Sequence, residues 1–386
     1  VAIAAGSLAV GAAVWLPCVH LLFAPSADEL PGSGVSSLAR AVCERQLGVW
    51  HDPQLRAREL ERMRSANAEW DFMARTFLVL ALGNLAERDP SQRERCVEAM
   101  DAILDETVRL EAEHGHSFFL LPYAEHSPWV VQPPRSLFVD GEIALMLGAR
   151  CLVANREDYR PRLRARVSTL IERMQQGPVL SGESYPDECW TFCNSVALAA
   201  IRIADVLDGS DHSVFLARWV EVARAKLVHP ATGLLVSSYD LEGVPSDGPE
   251  GSTIWLVAHC LRIVDPEFAR DQFERARREL CVQPLGFAYA REWPASWEGP
   301  TDIDSGVIVP GVGASASSSG FALLAAASFG DAGLLEGLLS ALNLAAFPVE
   351  TEGGVRYAAS NQVGDAVLAY ALTCGPLWEK VLEAGQ

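Results

Sequence analysis

The sequence predicts an all-helical protein, a toroid of helical hairpins, on three observations. Small, apolar segments alternate with segments carrying spaced charge, at an interval of about 45 to 65 residues. Turns within a pair are short and built on Asp, Gly and Pro, whereas links between pairs are mostly longer. A helix that is apolar all round belongs inside, and one with a polar face belongs outside. The first members therefore form an inner ring and the second members an outer one, and the hairpins close into an α/α toroid.

In chain order, residues 1–23 contain no Asp, Glu, Lys or Arg and one His. That is long enough to cross a bilayer and longer than the usual core of an export signal, so a membrane anchor is expected. A cleaved signal ending near Ala27 is the alternative, and residues are expected to precede Val1. Residues 24–35, with two prolines and two glycines, read as a linker, and 36–386 as a single helical domain. Residues 36–64 read as an amphipathic helix broken near Pro53. Six pairs follow: 70–85 with 92–113, 136–153 with 160–176, 187–207 with 214–227, 251–263 with 267–281, 314–329 with 334–344, and 364–373 with a last short helix to 384. The long links fall over the N-termini of the inner helices. They carry Trp129, Tyr239, Glu250, Arg291, Asp302, Asp304 and Tyr357, and loops held on a rigid scaffold are where function concentrates.

Composition narrows the chemistry. A net charge of −19 disfavours nucleic acid, and the Arg-rich runs at 56–62 and 160–166 read as solvated helix faces. The nine cysteines show no CxxC pair, so free, buried thiols are expected. His114 and His116 lack the further ligands that zinc needs, Asp302 and Asp304 lack an EF-hand context, and Gly311 with Gly313 follows no strand. No metal or cofactor is expected.

The stretch 181–197, Ser-Gly-Glu-Ser-Tyr-Pro-Asp-Glu-Cys-Trp-Thr-Phe-Cys-Asn-Ser-Val-Ala, gathers the reactive groups. It is expected to open a helix at Pro186, with Asp187 and Glu188 in the first turn, where the dipole favours negative charge. Cys189 and Cys193, four apart, would then share a face. Acidic caps and buried thiols are also ordinary structural features. Two chemistries fit a carboxylate pair among aromatics: cleavage of a glycosidic bond, or protonation of a hydroxyl with proton removal from carbon. Thiols beside Trp190 and Phe192 favour the second. A non-catalytic, membrane-tethered scaffold is a third reading.

Tyr185-Pro-Asp-Glu-Cys-Trp-Thr-Phe-Cys-Asn-Ser-Val-Ala197 resembles the linalool dehydratase/isomerase family, which has Pro-Asp at the same place and an identical Cys-Asn-Ser-Val-Ala ending. The likeness continues through Asp208-Gly-Ser-Asp211, Ser238-Tyr239, Arg291-Glu292, Phe329-Gly-Asp331 and Arg356-Tyr357. The resemblance implies an (α/α)6 barrel, a ring-shaped homo-oligomer, an exported (periplasmic-side) location, and cofactor-free dehydration and isomerisation of a small hydrophobic allylic alcohol such as linalool. Cys193 matches a site cysteine of the family, whereas Ser184 stands where the family has a second cysteine and Glu142 where it has a catalytic histidine. Asp71, in Trp70-Asp71-Phe72, is the local candidate for an aspartate that the family supplies across the subunit interface. The expected site therefore has Glu142 or Cys193 as proton donor, Asp187 or Asp71 as base, and Tyr185 beside them. Trp190, Phe192 and Trp255 would shield an allylic cation, and Cys189, Trp129, Tyr239, Glu250, Arg291 and Tyr357 would line the substrate.

Overall fold

The computed structural model describes residues 2–32, 34–301 and 305–385; Asp302 and Asp304 lie outside the described residues. Helix α1 (Ala2–Trp15) runs into 3-10 turns at Leu16–Leu22, and the whole span is apolar, unburied and long enough to cross a membrane. Its end is tied to the rest of the chain. The His20 ring meets Phe287 at 6.2 Å, and the Phe23 carbonyl accepts from Asn343 Nδ2 at 2.9 Å.

The 36–64 segment divides where Pro53 predicts. Helices α2 (Ser37–His51) and α3 (Pro53–Ala66) meet at Asp52, whose carboxylate accepts from the N–H groups of Gln54 and Leu55. Asn67 caps α4 (Ala68–Arg88) in the same way.

The inner ring is α4, α6 (Leu137–Val153), α8 (Thr191–Asp208), α10 (Gly251–Leu261), α12 (Ala316–Phe329) and α14 (Gln362–Thr373). Each packs on the next, and α14 closes on α4. Outside lie α5 (Arg93–His114), α7 (Tyr159–Met174), α9 (Ser213–Lys226), α11 (Pro266–Leu280) and α13 (Ala332–Ala346). This is an (α/α)6 barrel, as the alternation of apolar and charged helices predicts. Two inner helices end on glycines in the left-handed region, Gly209 (φ 66°) and Gly330 (φ 72°), which turn the chain outward at no steric cost.

Two expectations need correction. The last helix, α15 (Pro376–Ala384), is not an outer helix. It crosses the floor of the barrel against α4, α6 and α8, its Leu377 N–H bound to Asn84 and its Trp378 Nε1 donating to the His259 carbonyl. The sixth outer place is filled from the other end of the chain by α2, which packs on α14, α4 and α5. Spacing along the sequence cannot reveal such an exchange. Helix α8 also begins at Thr191, not at residue 187. Cys189–Trp190 form β1, which pairs with β2 (Ser238–Tyr239), and β2 in turn with β3 (Pro245–Asp247). Cys189 therefore belongs to a strand and does not share a helical face with Cys193. Two further hairpins, β4 (Cys281–Val282) with β5 (Tyr289–Ala290) and β6 (Pro348–Thr351) with β7 (Gly354–Tyr357), lie in the later links.

Small residues let the inner helices approach. A Cβ on Gly141 would meet Ala197 at 3.5 Å, and one on Gly148 would meet Ile203 Cγ2 at 2.7 Å, a distance no real Cβ keeps. Gly148→Ala is expected to destabilise the fold by about 1–3 kcal/mol through overpacking at the α6–α8 seam. Denaturant melts of the two proteins check this, and an unchanged midpoint contradicts the tight seam.

Candidate active site

The site is built where the N-termini of α4, α6 and α8 converge. On α4, Glu69 and Thr76 are seven residues apart and share a face, whereas Asp71 and Arg75 occupy the neighbouring one. On α6, Glu142 sits in the second turn, fully buried. Thr76 Oγ1 donates to Glu142 Oε2 at 2.6 Å, and Glu142 Oε1 is buried with no hydrogen-bond partner among the described residues. Burial pushes the Glu142 carboxyl up to about 8; the Thr76 hydroxyl opposes the shift and the charge of Glu69 adds to it. Glu142 is thus a neutral acid at pH 7, with one oxygen held and the other open.

Cys193, in the first turn of α8, faces the same cluster. Burial pushes its thiol well up, the Ser184 hydroxyl bonded to it pulls the other way, and the charges of Glu142, Glu69 and Glu188 add to the rise. Cys193 and Phe192 are both buried, at 6% and 8% exposure. The loop before α8 is pinned by the motif that follows it. Asn194 accepts from the Gly182 N–H at 3.0 Å and donates to the Trp190 carbonyl at 2.9 Å, and Ser136 Oγ donates to the Ser184 carbonyl at 2.7 Å.

Tyr185 is tied to the cluster through Glu69. Its hydroxyl donates to Glu69 Oε1 at 2.5 Å and accepts from the Leu121 N–H at 2.8 Å, and its ring stacks on Tyr123 at 4.3 Å. Burial, with the Glu69 charge next, holds the phenol protonated. Trp190 Nε1 donates to the Glu188 carboxylate. Towards the barrel axis three rings meet: Phe321 lies 5.4 Å from Phe77 and 5.8 Å from Phe192. They come from α4, α8 and α12, alternate helices of the ring, so the contact is made across the lumen.

Several expected residues stand elsewhere. Asp187 is exposed at the tip of the turn in which Tyr185 and Glu188 pair, at φ 55°, with its N–H bound to Glu183. Of the two adjacent acids, it is Glu188 whose charge acts on Cys193, because the chain is still a turn at this point and its side chains do not follow helical spacing. Asp71 is buried against Arg75 at 3.2 Å, and Arg75 reaches on to Glu106 of α5, so this aspartate faces the outer ring. Trp255 also points outward: its Nε1 donates to Ser318 and its ring meets Phe273 of α11 at 6.1 Å. Cys189 and Tyr239 are cross-strand partners sealed behind the loop, with Tyr239 Oη bonded to Ser181 at 2.8 Å. Trp129 packs edge-on to His116, and Glu250 is buried at the head of α10. The Arg291 carbonyl accepts from Ser318, and Tyr357 Oη donates to Asn343. Among the described residues, no three His, Cys, Asp or Glu side chains are placed to hold a metal ion.

Glu69, Thr76, Glu188, Phe77 and Phe321 were not among the site residues expected from the sequence. The seven-residue spacing of Glu69 and Thr76, which puts them on one side of an inner helix, is the signal that could have found the first two.

The raised Glu142 carboxyl makes stability depend on pH. A group whose folded value lies above its unfolded value of 4.5 contributes fully below 4.5, and that contribution is lost as pH rises to about 8. Glu142→Gln has no such dependence, so its stability relative to the parent should grow between pH 5 and pH 8 by up to ~1.4 kcal/mol per pH unit, a few kcal/mol in all. Denaturant titrations of both proteins at the two pH values measure this, and a constant difference contradicts a neutral, buried Glu142.

Comparison with known proteins places this geometry in context. The chain is similar in structure to an unsaturated glucuronyl hydrolase of Bacillus sp. GL1, at 14% identity and a TM-score of 0.54 over 87% of this chain and 94% of that one. It is also similar to a GH76 α-mannanase of Bacteroides thetaiotaomicron, at 12% identity and a TM-score of 0.50 over 81% and 87%. At such identities the likeness is one of fold. The sequence pattern of linalool dehydratase/isomerase matches residues 140–363, more than half of the chain, and spans Glu142, Ser184, Tyr185, Glu188 and Cys193. With the barrel and the clustered motif both in place, this chain belongs to the linalool dehydratase/isomerase family.

Proposed function

We propose that this chain is a cofactor-free hydro-lyase and isomerase that dehydrates an allylic, terpenoid-like alcohol. The observation that carries the reading is Glu142: a buried carboxyl, neutral at pH 7, with Oε2 held by Thr76 and Oε1 free to donate. The Oε1 proton passes to the substrate hydroxyl, the C–O bond breaks, and water leaves. The Phe77, Phe192 and Phe321 rings offer π faces to the allylic cation that remains. Glu69 or Glu188 then takes a proton from the carbon beside the cation, which gives the alkene; alcohol is consumed and alkene plus water are released. Cys193 adjoins the carboxylates, and its thiol, kept protonated by burial, is the alternative proton donor. Membership of the family and the low polarity below the carboxylates support this reading. An oligomeric, membrane-anchored enzyme on the extracytoplasmic side, with residues 36–386 as its catalytic domain, belongs to the same proposal. The apolar, exposed N-terminal span is consistent with an anchor or an export signal.

A second reading, a glycan hydrolase or lyase, draws on the carboxylate trio Glu69, Glu142 and Glu188 and on the barrel shared with glycan-active enzymes. Function resides in the site and not in the fold, and the ring contact across the lumen suits a small apolar substrate better than a sugar chain.

Incubation of the full-length protein with a panel of allylic alcohols and oligosaccharides, with products read by mass, separates the two. Loss of 18 mass units from an allylic alcohol is expected, and turnover of oligosaccharides alone overturns the dehydratase reading. Glu142→Gln should lower dehydration by about 10²–10⁴-fold with the fold intact by circular dichroism, and near-parental activity would remove Glu142 from the role.

A further inference from the structure

On the outer side of α14, away from the lumen, a cavity of about 380 Å³ lies between α2, α3, β7 and the start of α14. Four arginines line it: Arg45 from α2, Arg58 and Arg62 from α3, and Arg356 from β7. Arg58 and Arg62 belong to the solvated 56–62 run, whereas Arg45 and Arg356 approach the cavity from other elements. Arg58 and Arg62 approach Glu59 at 3.7 and 3.9 Å, but neither Arg45 nor Arg356 forms an ion pair among the described residues. Asp365, in the first turn of α14, is 8% exposed and lines the same cavity, and its Oδ1 has no hydrogen-bond partner among the described residues. Arg45 is half-buried and Arg356 exposed, so both guanidiniums are open to a ligand, and the Asp365 oxygen is a buried polar atom without a partner among the described residues, a state buried polar groups rarely keep.

We infer that this cavity is a binding site for a small oxyanion, a phosphate, sulfate or carboxylate group, clasped by Arg45 and Arg356 and hydrogen-bonded by Asp365 in its protonated form. Guanidinium forks match the oxygens of such groups in pairs. Burial pushes the Asp365 carboxyl up to about 6, opposed by its Ser360 bond and by Arg45, the Tyr357 backbone and Arg356. Glu59 of α3 is the other carboxylate lining the cavity, and Arg58 and Arg62 face it from the same helix. A protonated Asp365 gives a hydrogen to the anion, whereas an ionised one repels it. Binding is therefore tighter below pH 6 than above it.

Isothermal titration of the full-length protein with sulfate, a dianion throughout the range, tests this at pH 5.5 and pH 7.5; phosphate and acetate identify the preferred oxyanion. Sulfate is expected to bind several-fold more tightly at pH 5.5. The double variant Arg45→Ala/Arg356→Ala should weaken binding by about tenfold or more, as expected for lost charge-assisted hydrogen bonds. Asp365→Asn should keep binding and lose its pH dependence. Both changes lie outside the Glu142 cluster, so dehydration of an allylic alcohol by either variant, where the parent shows it, reports on the fold independently. No binding of any of the three anions at 20 mM, or binding unmoved by the arginine variant, overturns the assignment.

Discussion

Glu142 stays neutral because the ring around it closes. A carboxyl on an open helix bundle would be solvated and ionised, but α6 lies against α8 through Gly141 and Gly148, and α14 completes the circle onto α4. Water is excluded from the carboxyl, and the cost of charge in that setting exceeds the help that a single hydroxyl from Thr76 supplies. The same exclusion raises the Cys193 thiol and brings Phe77, Phe192 and Phe321 into contact across the axis. Acid, thiol and apolar cradle are all consequences of a tight inner wall.

The polar groups divide according to the side of that wall on which they fall. Asp71 meets Arg75 and the outer ring, whereas Glu69, two positions earlier, meets Tyr185 and the acid cluster. Asp365 and the arginine-lined cavity lie on the far side of α14, while Tyr370 of the same helix stacks with Phe77 at 6.3 Å. One turn of helix is enough to send neighbouring side chains into unrelated environments, so residue type alone does not assign a role. The floor makes the same point. His259, bonded to Ser328 and Tyr370 at 2.7 Å and stacked on Trp378 at 4.6 Å, is held well below the usual histidine range by burial. It serves as a neutral link between α10, α12, α14 and α15.

The architecture was legible in the sequence because it rests on local rules. Apolar periodicity separates inner from outer helices, Asp52, Asn67 and Asp331 mark helix starts, and Gly209 and Gly330 mark ends. The resemblance pointed to Cys193, Glu142 and Tyr185, and in the structure the charges of Glu142 and Glu69 act on Cys193 while Tyr185 bonds to Glu69. The expected lining was less accurate for Asp187 and Cys189 within the family motif and for Trp255 and Tyr239 beyond it: the chain at 187–190 is a turn and a strand, and packing turns Trp255 and Tyr239 away from the cluster.

What the sequence by itself determined is therefore the order, length and amphipathicity of the helices, together with the motif that marks one mouth of the barrel. Only the tertiary structure decided that α2 takes the sixth outer place, that α15 seals the floor, and that Glu69 and Glu188, not Asp71 and Asp187, lie beside Tyr185 and Cys193. The physical reason is that helix formation follows from contacts within a few residues. Which face of each helix looks inward, and which carboxyl loses its water, depends on residues brought together from opposite ends of the chain.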